Sequence, residues 1–119
     1  MNITIYHNPR CSKSRKTLQI IQASGIEPKI VEYLQQPPDA ARTEHLAALL
    51  GIGVADLLRR GESDLAEADD LPPLDDNAAL AAWMENHPKV LQRPIVVDED
   101  RGIAVIGRPP ENVLELLKK

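Results

Sequence analysis

The only cysteine of the chain, Cys11, lies in the stretch HNPRCSKSR (7–15), pressed between Arg10, Lys13 and Arg15. The whole chain carries a net charge of -4, so this gathering of cations runs against the average. The thiolate is the nucleophilic form of cysteine, and nearby positive charge favours it. Cys11 also falls where an extended segment hands over to a helical pattern starting at Ser12. The first N–H groups of a helix lack internal partners and carry partial positive charge. The same donors can cradle a tetrahedral anion. One arrangement would thus activate a nucleophile and bind its oxyanion target. The alternative is a buried structural cysteine, since free cysteine is among the most buried residue types. Three cations fit that reading poorly, because apolar neighbours would serve a core better. A C-x-x-C pair is absent, with Ser14 in the place of a second cysteine. Any disulfide step must recruit a thiol from elsewhere.

Further arginines draw notice by position. Arg59 or Arg60 stands before Gly61, Arg93 between Gln92 and Pro94, and Arg108 between Gly107 and Pro109. A single arginine near a helix end complements its dipole and otherwise meets solvent. Arg93 and Arg108, however, flank predicted strands, and strand ends are where ligands bind in α/β folds. The planar guanidinium fork also suits a bidentate grip on an oxyanion. His7, His45 and His87 are too scattered to make a ligand set, so no metal is expected.

The elements that must position these groups follow from periodicity. Residues 2–6, NITIY, alternate and carry β-branched residues, which predicts a short strand broken by His7-Asn8-Pro9. A helix follows from Ser12 to near Gly25, with Leu18, Ile21 and Ile20 inward and Ser12 or Ser14 as its cap. Residues 28–34 read as a second strand. Helices are expected at about 39–50 (Leu46, Leu49 and Leu50 inward), 54–60 and 76–86. The acidic segment 62–76 reads as a solvated loop with one helical turn. Residues 94–100 and 102–107 form strands joined at Asp100-Arg101-Gly102, a hairpin signal. A last helix runs from Pro109-Pro110 through Lys119, with Val113, Leu114 and Leu117 buried and the terminal lysines suiting its negative end. The order β-α-β, helical insertion, β-β-α matches an α/β, thioredoxin-like mixed sheet. The 119 residues suit a single domain, 1–119, with a helical insertion at about 39–90.

Composition narrows the function classes. An acidic balance excludes a general nucleic-acid binder, which would be basic over a whole face. The start, MNITIY, has no signal-peptide pattern, and no apolar stretch approaches the ~20 residues that cross a bilayer. No membrane association is expected, and a lone free thiol fits a reducing cytoplasm. With two Tyr, one Trp and no Phe, the core must be aliphatic.

Four blocks, ITIYHNPRCSKSRKTLQII, IGVADLLRRGE, HPKVLQRPIVV and GIAVIGRPPENVLELL, resemble the glutaredoxin-dependent arsenate reductases in order and spacing over nearly the full length. The resemblance implies a thioredoxin-like fold and an arsenate reductase acting through one catalytic cysteine, Cys11. It implies arsenate or a related oxyanion as substrate, bound by Arg59, Arg93 and Arg108, with glutathione as co-substrate, glutaredoxin as partner and no bound cofactor. It implies a supporting role for His7 beside the thiol and a cis peptide at Arg93-Pro94; Ser14 and Arg15 are counted with His7 as supporting residues by their places in the same loop. Relatives of the same kind include glutathione-dependent thiol reductases and Spx-like regulators that bind RNA polymerase. The arginine set favours the reductases.

Overall fold

The structure, a computed structural model, describes residues 1–118. In chain order these form β1 (Ile3–His7), α1 (Ser12–Ala23), β2 (Lys29–Glu32), α2 (Ala40–Leu50), α3 (Ser63–Ala66), α4 (Asn77–Glu85), β3 (Ile95–Asp98), β4 (Ile103–Ile106) and α5 (Val113–Leu117). Single 3₁₀ turns occupy Val54–Leu57, Pro88–Val90 and Pro110–Asn112. The chain divides into two compact units, one of residues 1–33 and 93 onward, the other of residues 34–92.

The first unit holds the sheet, ordered β2-β1-β3-β4. β1 pairs parallel with β2 and antiparallel with β3, which pairs antiparallel with β4. With a neighbour on each edge, β1 is buried at all five residues, and its β-branched composition suits that setting. Side chains alternate between faces. Ile3 and Ile5 pack with Val96 of β3, Ile21 of α1, and Val113 and Leu116 of α5. Each such side chain contributes about 1.5–3 kcal/mol on burial. Outer strand β2 is short and largely exposed, and the predicted strand over 28–34 stops early because Tyr33 and Leu34 enter a turn. α1 ends as its sequence predicts, at Gly25 with φ +81°, a conformation that glycine adopts without strain.

The last helix departs from expectation. Leu114 is 47% exposed, and Leu116 takes the buried place assigned to it. The helix opens with a 3₁₀ turn over Pro110–Asn112, and Val113 and Leu116, at i and i+3, form the face packed against Ile3, Ile5 and Ile21, which leaves Leu114 outward. It ends at Leu117 with Lys118 already extended, short of the expected end; Lys119 lies outside the described residues.

The second unit is helical. Asp39 caps α2 by accepting the Arg42 N–H at 2.8 Å, and Asp76 caps α4 through the Ala79 N–H at 3.1 Å. Leu46, Val54, Leu57, Leu80, Val90 and Leu91 are buried here. The acidic segment holds the one predicted helical turn, α3, and Asp70 accepts the Trp83 indole N–H at 2.9 Å. The predicted helix over 54–60 is instead a 3₁₀ turn ending at Leu57. Leu58 turns extended and bridges antiparallel to Leu91. An aliphatic core is the rule, but Tyr6, Tyr33 and Trp83 are buried as well.

Candidate active site

β1 ends at His7, and a turn at Asn8-Pro9-Arg10 carries the chain into α1. Asn8 organises that turn. Its carbonyl accepts the Cys11 N–H at 3.0 Å, its Oδ1 accepts the Arg10 N–H at 3.0 Å, and its own N–H donates to Ser14 Oγ at 3.1 Å. Side-chain to backbone bonds of this kind make Asn a turn former. Asn8 escaped the sequence reading as anything but a strand breaker, although Asn-Pro is itself a turn signal.

Cys11 thereby becomes the N-cap of α1, with φ -91° and ψ 121°. No side chain caps the helix. Ser12 and Ser14 do not take that role, because the chain turns helical at Ser12 and Ser14 falls inside the first turn. Ser14 is fully buried and meets His7 Nδ1 at 2.6 Å. Burial pushes the His7 imidazole below its ordinary value of 6.5; the Glu32 carboxylate opposes that shift and the Arg15 charge adds to it. His7 is therefore neutral at neutral pH, and the positive charge near the thiol belongs to arginine and lysine.

Cys11 itself is free and half-buried. Arg15 Nη1 donates to the Pro9 carbonyl at 2.9 Å, which fixes its guanidinium across the turn. Arg10 and Lys13 point to solvent. Arg108 comes from the far end of the sequence, after β4. Its Nη2 donates to Cys11 Sγ at 3.5 Å and its Nε to the Arg93 carbonyl at 2.6 Å. Asn112 Nδ2 donates to the carbonyls of Ile106 at 3.3 Å and Arg108 at 3.1 Å. Gly107 is pressed between Thr17 and Pro94: a Cβ there would lie 2.6 Å from Thr17 Oγ1 and 2.8 Å from Pro94 Cγ. The sequence drew attention to Arg108 but gave no sign of Thr17 or Asn112. The expected cis peptide at Arg93-Pro94 is present, and Arg108-Pro109 is cis as well.

Arg59 belongs to the other unit. It follows the 3₁₀ turn without ending a helix, its N–H donates to the Val90 carbonyl at 2.6 Å, and its guanidinium pairs with Glu62 at 3.5 Å. Arg60 beside it is exposed. Among the described residues, no group of three His, Cys, Asp or Glu side chains could hold a metal ion, and no helix is long and apolar enough to cross a membrane.

A half-buried thiol at a helix N-terminus, with one guanidinium on its sulfur and another across its turn, is an arrangement for nucleophilic attack on an anion. The chain is similar to known proteins over nearly its full length. The chain is 46% identical over 117 residues to YfgD, an uncharacterized protein of Escherichia coli K12, covering 97% of this chain and 96% of that one. It is 41% identical to the arsenate reductase of Haemophilus influenzae, covering 98% and 100%. The structure of the arsenate reductase from Vibrio cholerae matches with a TM-score of 0.84 at 41% identity, covering 98% of each chain. The fold shared with such neighbours is thioredoxin-like. The model of the ArsC family matches residues 6–116, and the chain belongs to that family.

Proposed function

We propose that this protein is an arsenate reductase that uses glutathione and glutaredoxin, working in a reducing, cytoplasmic setting. The observation that carries the reading is the guanidinium of Arg108 on the sulfur of Cys11, 3.5 Å away at the mouth of α1. A thiolate and arsenate are both anions, so attack needs positive charge at the point where they meet. Arg108 supplies it, joined by the free N–H groups of the first turn. Arg93 is assigned to the same anion by its place in the family pattern, and that pattern also gives Arg59 an anion-binding role. Donors aimed at the developing oxyanion are commonly worth about 3 kcal/mol each. Arg15, Ser14 and His7 hold the shape of the turn that presents the thiol.

In the proposed reaction the Cys11 thiolate attacks arsenic(V), and one arsenate oxygen leaves as water after taking up two protons. Glutathione adds to the Cys11–arsenic adduct through its sulfur, displacing a second oxygen as water. A glutaredoxin thiolate then takes the glutathione sulfur into a mixed disulfide, and the electron pair of the broken arsenic–sulfur bond stays on arsenic. Hydrolysis of the remaining bond consumes one water, releases arsenite and returns the Cys11 thiol. Overall, arsenate and two thiols give arsenite, one disulfide and one water. The protein's own residues bind, orient and neutralise; no resident cofactor takes part.

Replacing Cys11 by Ser tests the scheme. Arsenite release in the presence of glutathione and glutaredoxin should vanish while the circular dichroism spectrum is unchanged. Turnover that survived in Cys11→Ser would rule out the covalent route.

A further inference from the structure

Arg108 is a long, flexible side chain whose rotamer entropy opposes any single placement. Something must hold it on the sulfur, and the surroundings of residues 106–112 supply three restraints. Its Nε is bound to the Arg93 carbonyl at 2.6 Å. Asn112 reaches back across the turn and ties the carbonyls of Ile106 and Arg108 with one amide, at 3.3 and 3.1 Å. The backbone just before Arg108 is seated at Gly107, whose N–H donates to the Pro94 carbonyl at 2.9 Å.

Gly107 is buried, and no side chain fits there. A Cβ would meet Thr17 Oγ1 at 2.6 Å, Thr17 Cγ2 at 3.0 Å and Pro94 Cγ at 2.8 Å. Neither neighbour can yield cheaply. Thr17 is fully buried, stiff at χ1 and anchored by its hydroxyl on the Lys13 carbonyl at 2.8 Å. Pro94 is a buried ring that cannot rotate away. Thr17 stands in α1, six residues beyond Cys11. The helix that carries the thiol is thus the same helix against which the arginine's backbone is seated.

The geometry points to Gly107, docked on Thr17, together with Asn112, as positioning residues that aim the Arg108 guanidinium at Cys11 Sγ. This deepens the arsenate reductase reading and rests on it for its consequence in turnover, but the placement of charge beside the thiol can be read without arsenate. Iodoacetate and iodoacetamide alkylate the same sulfur and differ by one negative charge. Their rate ratio reports the local cation, whereas loosened folding raises both rates together.

In the intact protein with Arg108→Ala as benchmark, the iodoacetate to iodoacetamide ratio should fall about fivefold, the worth of one full charge at contact in water. Gly107→Ala and Asn112→Ala should each reproduce most of that fall. Asn112 is exposed, so its variant remains informative if Gly107→Ala does not fold. A ratio in Asn112→Ala equal to that of the unaltered protein overturns the proposal, whatever the arsenate assay gives. A lowered ratio in a protein whose unaltered form reduces no arsenate upholds the positioning role and overturns the arsenate reading instead.

Discussion

At the scale of single residues, the local chemistry around Cys11 is written in nine consecutive positions, and their conformation follows from Asn8. That residue satisfies three backbone or side-chain groups of the turn at once, which makes Cys11 the N-cap and turns Ser14 inward. His7 sits beneath this turn as a buried neutral ring. Its folded value lies below 6.5, so the unfolded chain binds the proton more readily. Stability is complete above about pH 6.5 and falls as the pH drops through the window below it. Urea midpoints at about pH 5 and pH 7 should therefore diverge more for the native chain than for His7→Asn; an equal spread in both would show that His7 contributes nothing to the pH dependence.

At the scale of elements, the β3–β4 hairpin shows how a turn signal can be right while its anchor goes unseen. Asp100-Arg101-Gly102 does join the two strands, and Gly102 takes φ +64°. The anchor is Asp98, buried at 1% exposure, whose carboxylate accepts the N–H groups of Asp100 and Arg101 and the Arg101 Nε at 2.6 Å. Arg101 also donates to the Leu116 carbonyl of α5, linking hairpin and helix. Burial alone would raise the Asp98 value; the Arg101 side chain and the turn N–H groups more than offset this and hold it below 3.8. Its stabilisation is present above about pH 3.8 and lost as the pH falls through the folded value. Asp98→Ala should cost about 1.5–3 kcal/mol at neutral pH, the usual scale of a hydrogen bond to a charged group. Chemical denaturation measures this, and a loss under about 0.5 kcal/mol, the level of an ordinary surface change, would discount the anchor.

At the scale of the whole molecule, charge is unevenly spread. Of fourteen Lys and Arg, four (Arg10, Lys13, Arg15 and Lys16) fall within residues 10–16, and none of the eighteen Asp and Glu do. An acidic chain thus presents a positive field at its thiol. Fields of exposed charges are screened over about 10 Å at 0.1 M salt and over about 30 Å at 0.01 M. The KM for arsenate should therefore rise several-fold between about 0.01 and 0.2 M sodium chloride, with kcat nearly constant. A KM indifferent to salt would confine the electrostatics to the buried contacts.

The sequence by itself determined what depends on neighbours along the chain: the succession of strands and helices, the hairpin turn, the end of α1 at Gly25 and the cationic setting of Cys11. These are legible because periodicity and turn chemistry act over a few residues. Tertiary structure decided the rest. The helical pattern of VADLLRR gives way at Leu58 because Leu91 offers a strand partner, and packing against Ile3, Ile5 and Ile21 buries Leu116 in place of Leu114. Arg108 reaches Cys11 across 97 residues, held by Asn112, Gly107 and Thr17. No spacing rule encodes such a contact, because it depends on how the sheet and α1 pack together in space.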